Sequence, residues 1–275
     1  MTGPTGSGGG RDGIPVAGIT FDFGNTLVRV DRAGLRSVVE TTAGRLLERG
    51  SISETTAFLA AWATERDRQF RIQVPRLREV DLAERVEHVL AGLRGCPVPS
   101  SDEIAWDEGA AAGLVDPAEV QFAVETYSLA FVATMAPLPD AEPTLRRVHA
   151  AGYRLGILSN WPLARTIDRY VEARGWRPWL EAVVVSERVG VIKPHPAIFA
   201  AAADALRVPP ERLIHVGDDW AADVAGGRAA GWHVAYLRGH QGDTPLPTSL
   251  PDPEVAADIE LDRLGDLDAH LTLAS

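Results

Sequence analysis

The distribution of apolar residues divides the chain into two textures. IPVAGITFDF, at Ile14–Phe23, is a short apolar run rich in β-branched residues. It ends in a carboxylate followed by Gly24 and Asn25, the pattern of a buried strand entering a tight turn. From Asp31 to about Val132 the spacing becomes helical. Leu35, Val38, Val39, Leu46 and Leu47 share one face of a first helix, with Asp31 as N-cap and Gly50 as stop. Phe58, Ala61 and Trp62 mark a second helix, and Leu82, Val86, Val89, Leu90 and Leu93 a third. Asp116-Pro117 opens a fourth, carrying Val120, Val124, Tyr127 and Phe131. After Pro137-Leu138-Pro139 the pattern alternates. A helix over 141–151 stops at Gly152, strand-like runs follow at 153–158, 182–185, 213–216 and 233–237, and ADIEL at 257–261 reads as an edge strand. Strand–helix alternation at this spacing implies right-handed crossovers and a parallel sheet. The expectation is an α/β protein: a Rossmann-like parallel sheet core over 14–30 and 138–275, with an all-helical insert over 31–137 directly after the first strand.

Composition narrows the function classes. The 275 residues, 45% hydrophobic and 24% charged, are those of an average globular protein of one large or two modest domains. A formal charge of −11 repels polyphosphate backbones, so nucleic acid is not an expected partner. No uninterrupted apolar run approaches the roughly 18–20 residues of a membrane span. The single cysteine, Cys96, reads as a loop residue that cannot form an intrachain disulfide and fits a reducing compartment. The first 13 residues contain six glycines and have neither the basic start nor the apolar centre of a signal peptide. They read as a disordered tail, and the expected location is cytoplasmic. Arg66, Arg68, Arg71, Arg76 and Arg78 form the most basic stretch, either a solvated helix face or a means of steering an anionic substrate.

In an open parallel sheet, ligands collect at the carboxyl ends of the strands. The first strand ends at Asp22-Phe23-Gly24-Asn25-Thr26 and the second at Ser159-Asn160. Lys193-Pro194 follows the third, and the fourth ends in Gly217-Asp218-Asp219 with Asp223 just beyond. Each fragment alone is an ordinary cap, turn or surface charge. Together they place several carboxylates, a hydroxyl and a lysine in one crevice. Clustered carboxylates are tolerable with a cation between them, and hard oxygen ligands favour Mg²⁺. The lysine would oppose a dianionic substrate, and Asp22 could attack phosphorus and carry a covalent intermediate.

With these residues in place, the sequence resembles the haloacid dehalogenase-like hydrolase superfamily. FDFGNTL is similar to its first motif, LSN to its second, VIKPHPAIF to its third and HVGDDWAAD to its fourth, and 31–137 sits where that family places a helical cap. The resemblance implies Asp22 as nucleophile, Thr26 supporting its turn, and Ser159 and Asn160 with Lys193 binding the phosphoryl group. Asp22, the backbone carbonyl of Gly24, Asp218 and Asp223 would hold Mg²⁺. One departure stands out: phosphatases of the family carry a second Asp, which protonates the leaving oxygen, where this chain has Gly24. The expected activity is a Mg²⁺-dependent phosphohydrolase acting on a small phosphorylated metabolite through an aspartyl-phosphate. The alternatives are a 2-haloacid dehalogenase-type hydrolase, whose halide leaves without a proton, and a weakened scaffold binding a phospho-ligand or protein. His195 and residues of the cap are candidate substitutes for the missing acid, and Trp161 is a candidate wall of the crevice. Arg165 reads as surface charge, and the oligomeric state is not readable.

Overall fold

The computed structural model describes residues 13–239 and 243–274. Residues 1–12 of the expected tail lie outside that range. Six parallel strands form the central sheet in the order β4-β3-β2-β5-β6-β7: β2 Gly18–Phe21, β3 Arg154–Ser159, β4 Ala182–Val185, β5 Leu213–Gly217, β6 His233–Leu237 and β7 Ile259–Leu261. β7 is the expected edge strand. The run 14–23 is not one strand, however. β1 (Ile14–Val16) breaks away at Ala17 and pairs in parallel with β8 (Leu271–Leu273) in a separate two-stranded sheet. The break is fixed where Ala17 N–H donates to Arg212 O at 2.8 Å and Ala17 O accepts from Arg154 N. The hydrophobic pattern carries through this bend without a mark.

Successive residues of the strands feed opposite faces. In β3, Leu155 and Ile157 join the large core, while Leu158 joins a second core with Ile198, Phe199 and Leu206. A sheet covered on both faces explains why its strands read as continuous apolar runs.

Between β2 and the next core helix lies a helical layer: α1 (Arg32–Arg49), α2 (Thr55–Gln73), α3 (Leu82–Leu93), the short α4 (Glu108–Ala112) and α5 (Pro117–Thr134). The expected punctuation is in place: Asp31 Oδ1 accepts from Gly34 N, Gly50 takes φ 81°, and Asp116 forms a capping box with Glu119. Helices α6 (Ala141–Ala150), α7 (Ala164–Ala173), α8 (Ser186–Val189), α9 (Pro196–Leu206) and α10 (Gly226–Ala229) belong to the α/β core. The two connections between layer and core run side by side. Val28 pairs antiparallel with Pro137, Arg29 N donates to Ala136 O, and Leu138 N donates to Leu27 O at 2.9 Å. Cys96, in the loop after α3, is buried and unpaired. No helix among the described residues is long and apolar enough to cross a membrane.

Candidate active site

Asp22 sits one residue past β2, in the middle of the sheet, and its N–H still donates to Val216 O of β5 at 2.8 Å. The turn that follows closes on itself. Leu27 N and Val28 N both donate to Phe23 O, Asn25 adopts a left-handed φ of 58°, and Asn25 Oδ1 accepts from Val30 N. Phe23 locks underneath by edge contacts with Trp161 and Tyr170.

Three strand ends converge on this turn. Lys193 Nζ donates to Asp22 Oδ1 at 2.8 Å, to Asp223 Oδ1 at 2.6 Å and to Leu158 O at 2.8 Å. Thr26 Oγ1 donates to Asp218 Oδ1 at 3.2 Å. Asp223 Oδ2 accepts from Asp219 N at 2.9 Å. It can fold back this closely because Gly217 has no side chain: a Cβ there would lie 2.1 Å from Asp223 Cγ. Oxygens of Asp22, Asp218 and Asp223 lie within 4.8 Å of one another.

Burial in this crevice sets the protonation. Burial pushes Asp22 up to about 6 even though Lys193 pulls it down. Asp218 is raised well above the carboxylate range, first by burial and then by the charges of Asp22 and Asp223. Burial would raise Asp223 as well, but the Lys193 ammonium and the His215 ring hold it well below its ordinary value. Burial opposes the Lys193 charge, and the two carboxylates it bridges overcome that and raise it. With all three carboxylates ionised, the cluster carries two net negative charges, the complement of one divalent cation. The donors are oxygens, as a hard cation requires, and the raised proton affinity of Asp218 marks where positive charge is favoured. The residues therefore fit Mg²⁺.

Of the two expected phosphoryl ligands at the end of β3, Asn160 lines the cavity and Ser159 does not. Ser159 is buried, and the wall here is Asn160 and Trp161. The Asn160 amide grips the Lys193 backbone, Oδ1 accepting from Lys193 N at 2.7 Å and Nδ2 donating to Lys193 O at 3.0 Å. It thereby positions the lysine. His195 caps α9 by accepting from Ala197 N and does not line the cavity. Arg165 is exposed and paired with Glu125.

Sequence reasoning missed several residues. His215, one position before Val216 in β5, is hydrogen-bonded through Nδ1 with the Thr20 hydroxyl at 2.8 Å and through Nε2 with Asp223 Oδ1 at 2.9 Å. Burial and the Lys193 charge lower its pKa, so the ring is neutral. The segment 245–249 crosses the cavity mouth, with Ser249 N and Oγ both donating to Asp219. From the helical layer, Arg66, Phe70, Glu79, Arg85 and Tyr127 complete a cavity of about 320 Å³. Of the basic stretch, only Arg66 lines it. Arg68 pairs with Glu65 and Arg71 with Asp102, while Arg76 and Arg78 are exposed. The apolar pattern of β5 concealed His215, and no local signal assigns a loop or helix face to a distant cavity.

A family model for a haloacid dehalogenase-like hydrolase matches residues 16–231. A glyceraldehyde 3-phosphate phosphatase of Methanopyrus kandleri is 32% identical over 152 residues, covering 55% of this chain and 64% of the relative. A ribulose-1,5-bisphosphate 5-phosphatase of Halopiger xanaduensis is 30% identical over 145 residues, 52% of this chain and 60% of the relative. The chain thus spans less than two thirds of the length of these curated relatives. Among solved structures, a 2-haloacid dehalogenase of Pseudomonas syringae superposes with a TM-score of 0.62 at 21% identity, covering 92% of this chain and 96% of the other. At these identities the structural likeness establishes the fold.

Proposed function

The chain belongs to the haloacid dehalogenase-like hydrolase family, and from that premise we propose that it is a Mg²⁺-dependent phosphohydrolase of small phosphorylated metabolites, working through a phosphoaspartate on Asp22. The observation that carries this reading is Lys193, a buried ammonium bridging Asp22 and Asp223 beside Asp218. Asp22, the Gly24 carbonyl and Asp218 would hold the cation, with Asp223 ligating directly or through water. When bound, Mg²⁺ supplies charge neutralisation for a dianionic phosphoryl group approaching a carboxylate.

In the chemical step an Asp22 carboxylate oxygen forms a bond to phosphorus as the bond to the leaving oxygen breaks. Lys193 opposes the charge on the transferred oxygens, held in register by Asn160. Thr26 donates to Asp218 beside Asp22, and Ser159 lies buried at the end of β3. Water then attacks phosphorus, releasing inorganic phosphate and restoring the Asp22 carboxylate. Position 24 offers no proton, so the leaving oxygen departs as an anion. That favours acyl phosphates, phosphoanhydrides and aryl phosphates over simple alkyl esters, since a general acid contributes roughly 10²–10⁴-fold. The helical layer over 31–137 acts as a cap that excludes competing water and chooses the substrate. The matched relatives, named for phosphate esters of sugars, support a small phosphorylated metabolite as substrate and not the leaving-group preference. The buried unpaired Cys96 fits a reducing, cytoplasmic setting.

Gly24 also keeps open attack of Asp22 on the carbon of a 2-haloacid, where no proton is needed. The carboxylates of Asp218 and Asp223 favour the phosphoryl reaction, since carbon attack has no use for a cation cluster. Phosphate release from acyl, aryl and alkyl phosphates, with Mg²⁺ or chelator, decides between them. Metal-dependent turnover lost in Asp22→Asn is expected. Halide release from 2-haloacids without phosphate release would replace the reading, and turnover of neither class would leave a binding scaffold.

A further inference from the structure

Arg85, on α3, is the anomaly of the cavity wall. Arg85 is 4% exposed, yet it is among the residues lining the cavity that holds Asp22. Nε donates to Gln69 Oε1 at 2.9 Å, while Nη2 is buried with no hydrogen-bond partner. A buried guanidinium nitrogen left without an acceptor is costly; Arg68 Nε and Arg169 Nη1 share that state, but of the three arginines only Arg85 lines the cavity. The acids nearest in charge to Arg85 are committed elsewhere. Glu65 accepts from His88 Nδ1 at 2.9 Å and from Trp106 Nε1 at 3.2 Å. Glu79 accepts from Val80 N and from the Ser186 hydroxyl. Burial pulls Arg85 down to about 10, which leaves it a cation at any physiological pH. The guanidinium lies 5.3 Å from the centre of the Trp62 ring and 5.9 Å from that of Phe70, so these rings and Gln69 position it, with no hydrogen bond to a carboxylate among the described residues.

The cavity therefore has two poles. One is the Asp22–Lys193 cluster, which takes the phosphoryl group. The other is a fixed, unsatisfied cation on the cap side, with the half-exposed Arg66 on the same wall. The same lining includes Leu77, Trp161, Ile192 and Leu246, together with Glu79 and Asn160. We infer that Arg85 anchors a second anionic group of the substrate, so that the preferred substrates are phosphorylated metabolites carrying a carboxylate or a second phosphate at the end away from the scissile bond. This rests on the phosphohydrolase reading and deepens it. A guanidinium fork suits both anions, and a cavity of about 320 Å³ admits only a short spacer between them.

The test is calorimetric binding to the Asp22→Asn protein with Mg²⁺, where turnover cannot intervene. The probes are glycerol 3-phosphate, 3-phosphoglycerate and propane-1,3-diol bisphosphate. At least one doubly anionic probe is expected to bind about 10–100-fold more tightly than glycerol 3-phosphate, the worth of a charge-assisted hydrogen-bond pair. Whichever does so identifies the anion as carboxylate or phosphate. Adding Arg85→Gln should bring that ratio down to within about threefold of unity. Arg85→Met is the companion variant, since it keeps the aromatic packing without the charge and guards against misfolding in the first. Its ratio should collapse equally while its Tm stays within a few degrees of the parent. Equal binding of all three probes, or a preference that survives both substitutions, overturns the inference while leaving the phosphohydrolase reading intact. Binding of none of the three overturns the inference as well, while the phosphohydrolase reading is decided separately by phosphate release from the acyl, aryl and alkyl panel.

Discussion

Restoring an acid at position 24 isolates the leaving-group argument. Gly24 does not use the left-handed backbone region, so an L-residue is accommodated without backbone strain. A Cβ there would lie 2.9 Å from Leu246 Cδ1 and 3.7 Å from Val30 Cγ2. The tight contact is with the tip of a flexible side chain, which must rotate aside at about 0.5–1.5 kcal/mol. For a chain of this size that is about 1–6 °C in Tm. The new carboxyl of Gly24→Asp would stand beside Asp22 and Asp218, whose negative charges help it retain the proton a general acid must donate. The expected gain on alkyl phosphates is about 10²–10⁴-fold in kcat/KM, or about 3–5 kcal/mol of barrier. On nitrophenyl and acyl phosphates, which need no proton, the change should stay within a few-fold. The assay is the dependence of kcat/KM on leaving-group basicity, measured for the parent, Gly24→Asp, and Gly24→Asp with Leu246→Ala to relieve the contact. A folded variant whose dependence runs parallel to the parent's would refute the reasoning, because some other group would then already be protonating the leaving oxygen.

Other outcomes follow from the same geometry. Lys193→Met leaves Asp22 and Asp223 without their shared cation and should lower stability by about 3–5 kcal/mol at neutral pH in urea unfolding. Asp223 is held below its unfolded pKa, so its contribution is present above the ordinary carboxylate range and is lost as pH falls through the folded value. The gap between parent and variant should therefore narrow in acid, and a gap independent of pH would contradict the pairing. Glu79, raised to about 7 by burial against the pull of its Ser186 hydrogen bond, binds a proton more tightly folded than unfolded. Stability should fall as pH rises from about 4.5 to 7. Glu79→Gln should remove that slope, gaining at most about 3 kcal/mol at pH 8.5, and an unchanged pH–stability curve would refute it. Asn160→Ala frees both ends of the Lys193 peptide and should cost roughly 10²-fold in kcat, as misplacement of a catalytic group does. Full activity in that variant would show that the proline-bounded loop holds Lys193 unaided.

What was legible in the sequence was what local chemistry dictates. Asp31, Gly50 and Asp116-Pro117 mark helix ends by capping rules that need no tertiary context. The carboxylates and lysine declare themselves because they stand where apolar strands stop. The bend at Ala17 was not legible, since both its sides are apolar and only the pairing of β1 with β8 separates them. Asn160 was legible as a site residue, but its grip on the Lys193 backbone was not, because a strand-end amide gives no sign which neighbouring backbone it bonds. Arg85 was hidden for a related reason: on α3 it falls among the core positions Leu82, Val86, Val89 and Leu90, and only the docking of the layer shows that a cavity lies beyond it.

The paired connections at Leu27–Arg29 and Ala136–Leu138 bear on how the molecule assembles and diversifies. Strand β2 must find β3 across the whole helical layer, with Phe21 settling opposite Ile157. Closing an unstructured loop of roughly a hundred residues costs about 2 kcal/mol more than closing one of about ten, at 0.6 kcal/mol per doubling. Once the layer has folded, its entry and exit already lie side by side, and the sheet meets the equivalent of a hairpin connection. The length of the insert is thereby decoupled from the stability of the sheet. Helices can be added, removed or exchanged beyond Val28 and Pro137 with little penalty to the sheet that carries Asp22, so this fold can change the cavity wall above the strand ends without rebuilding the sheet below.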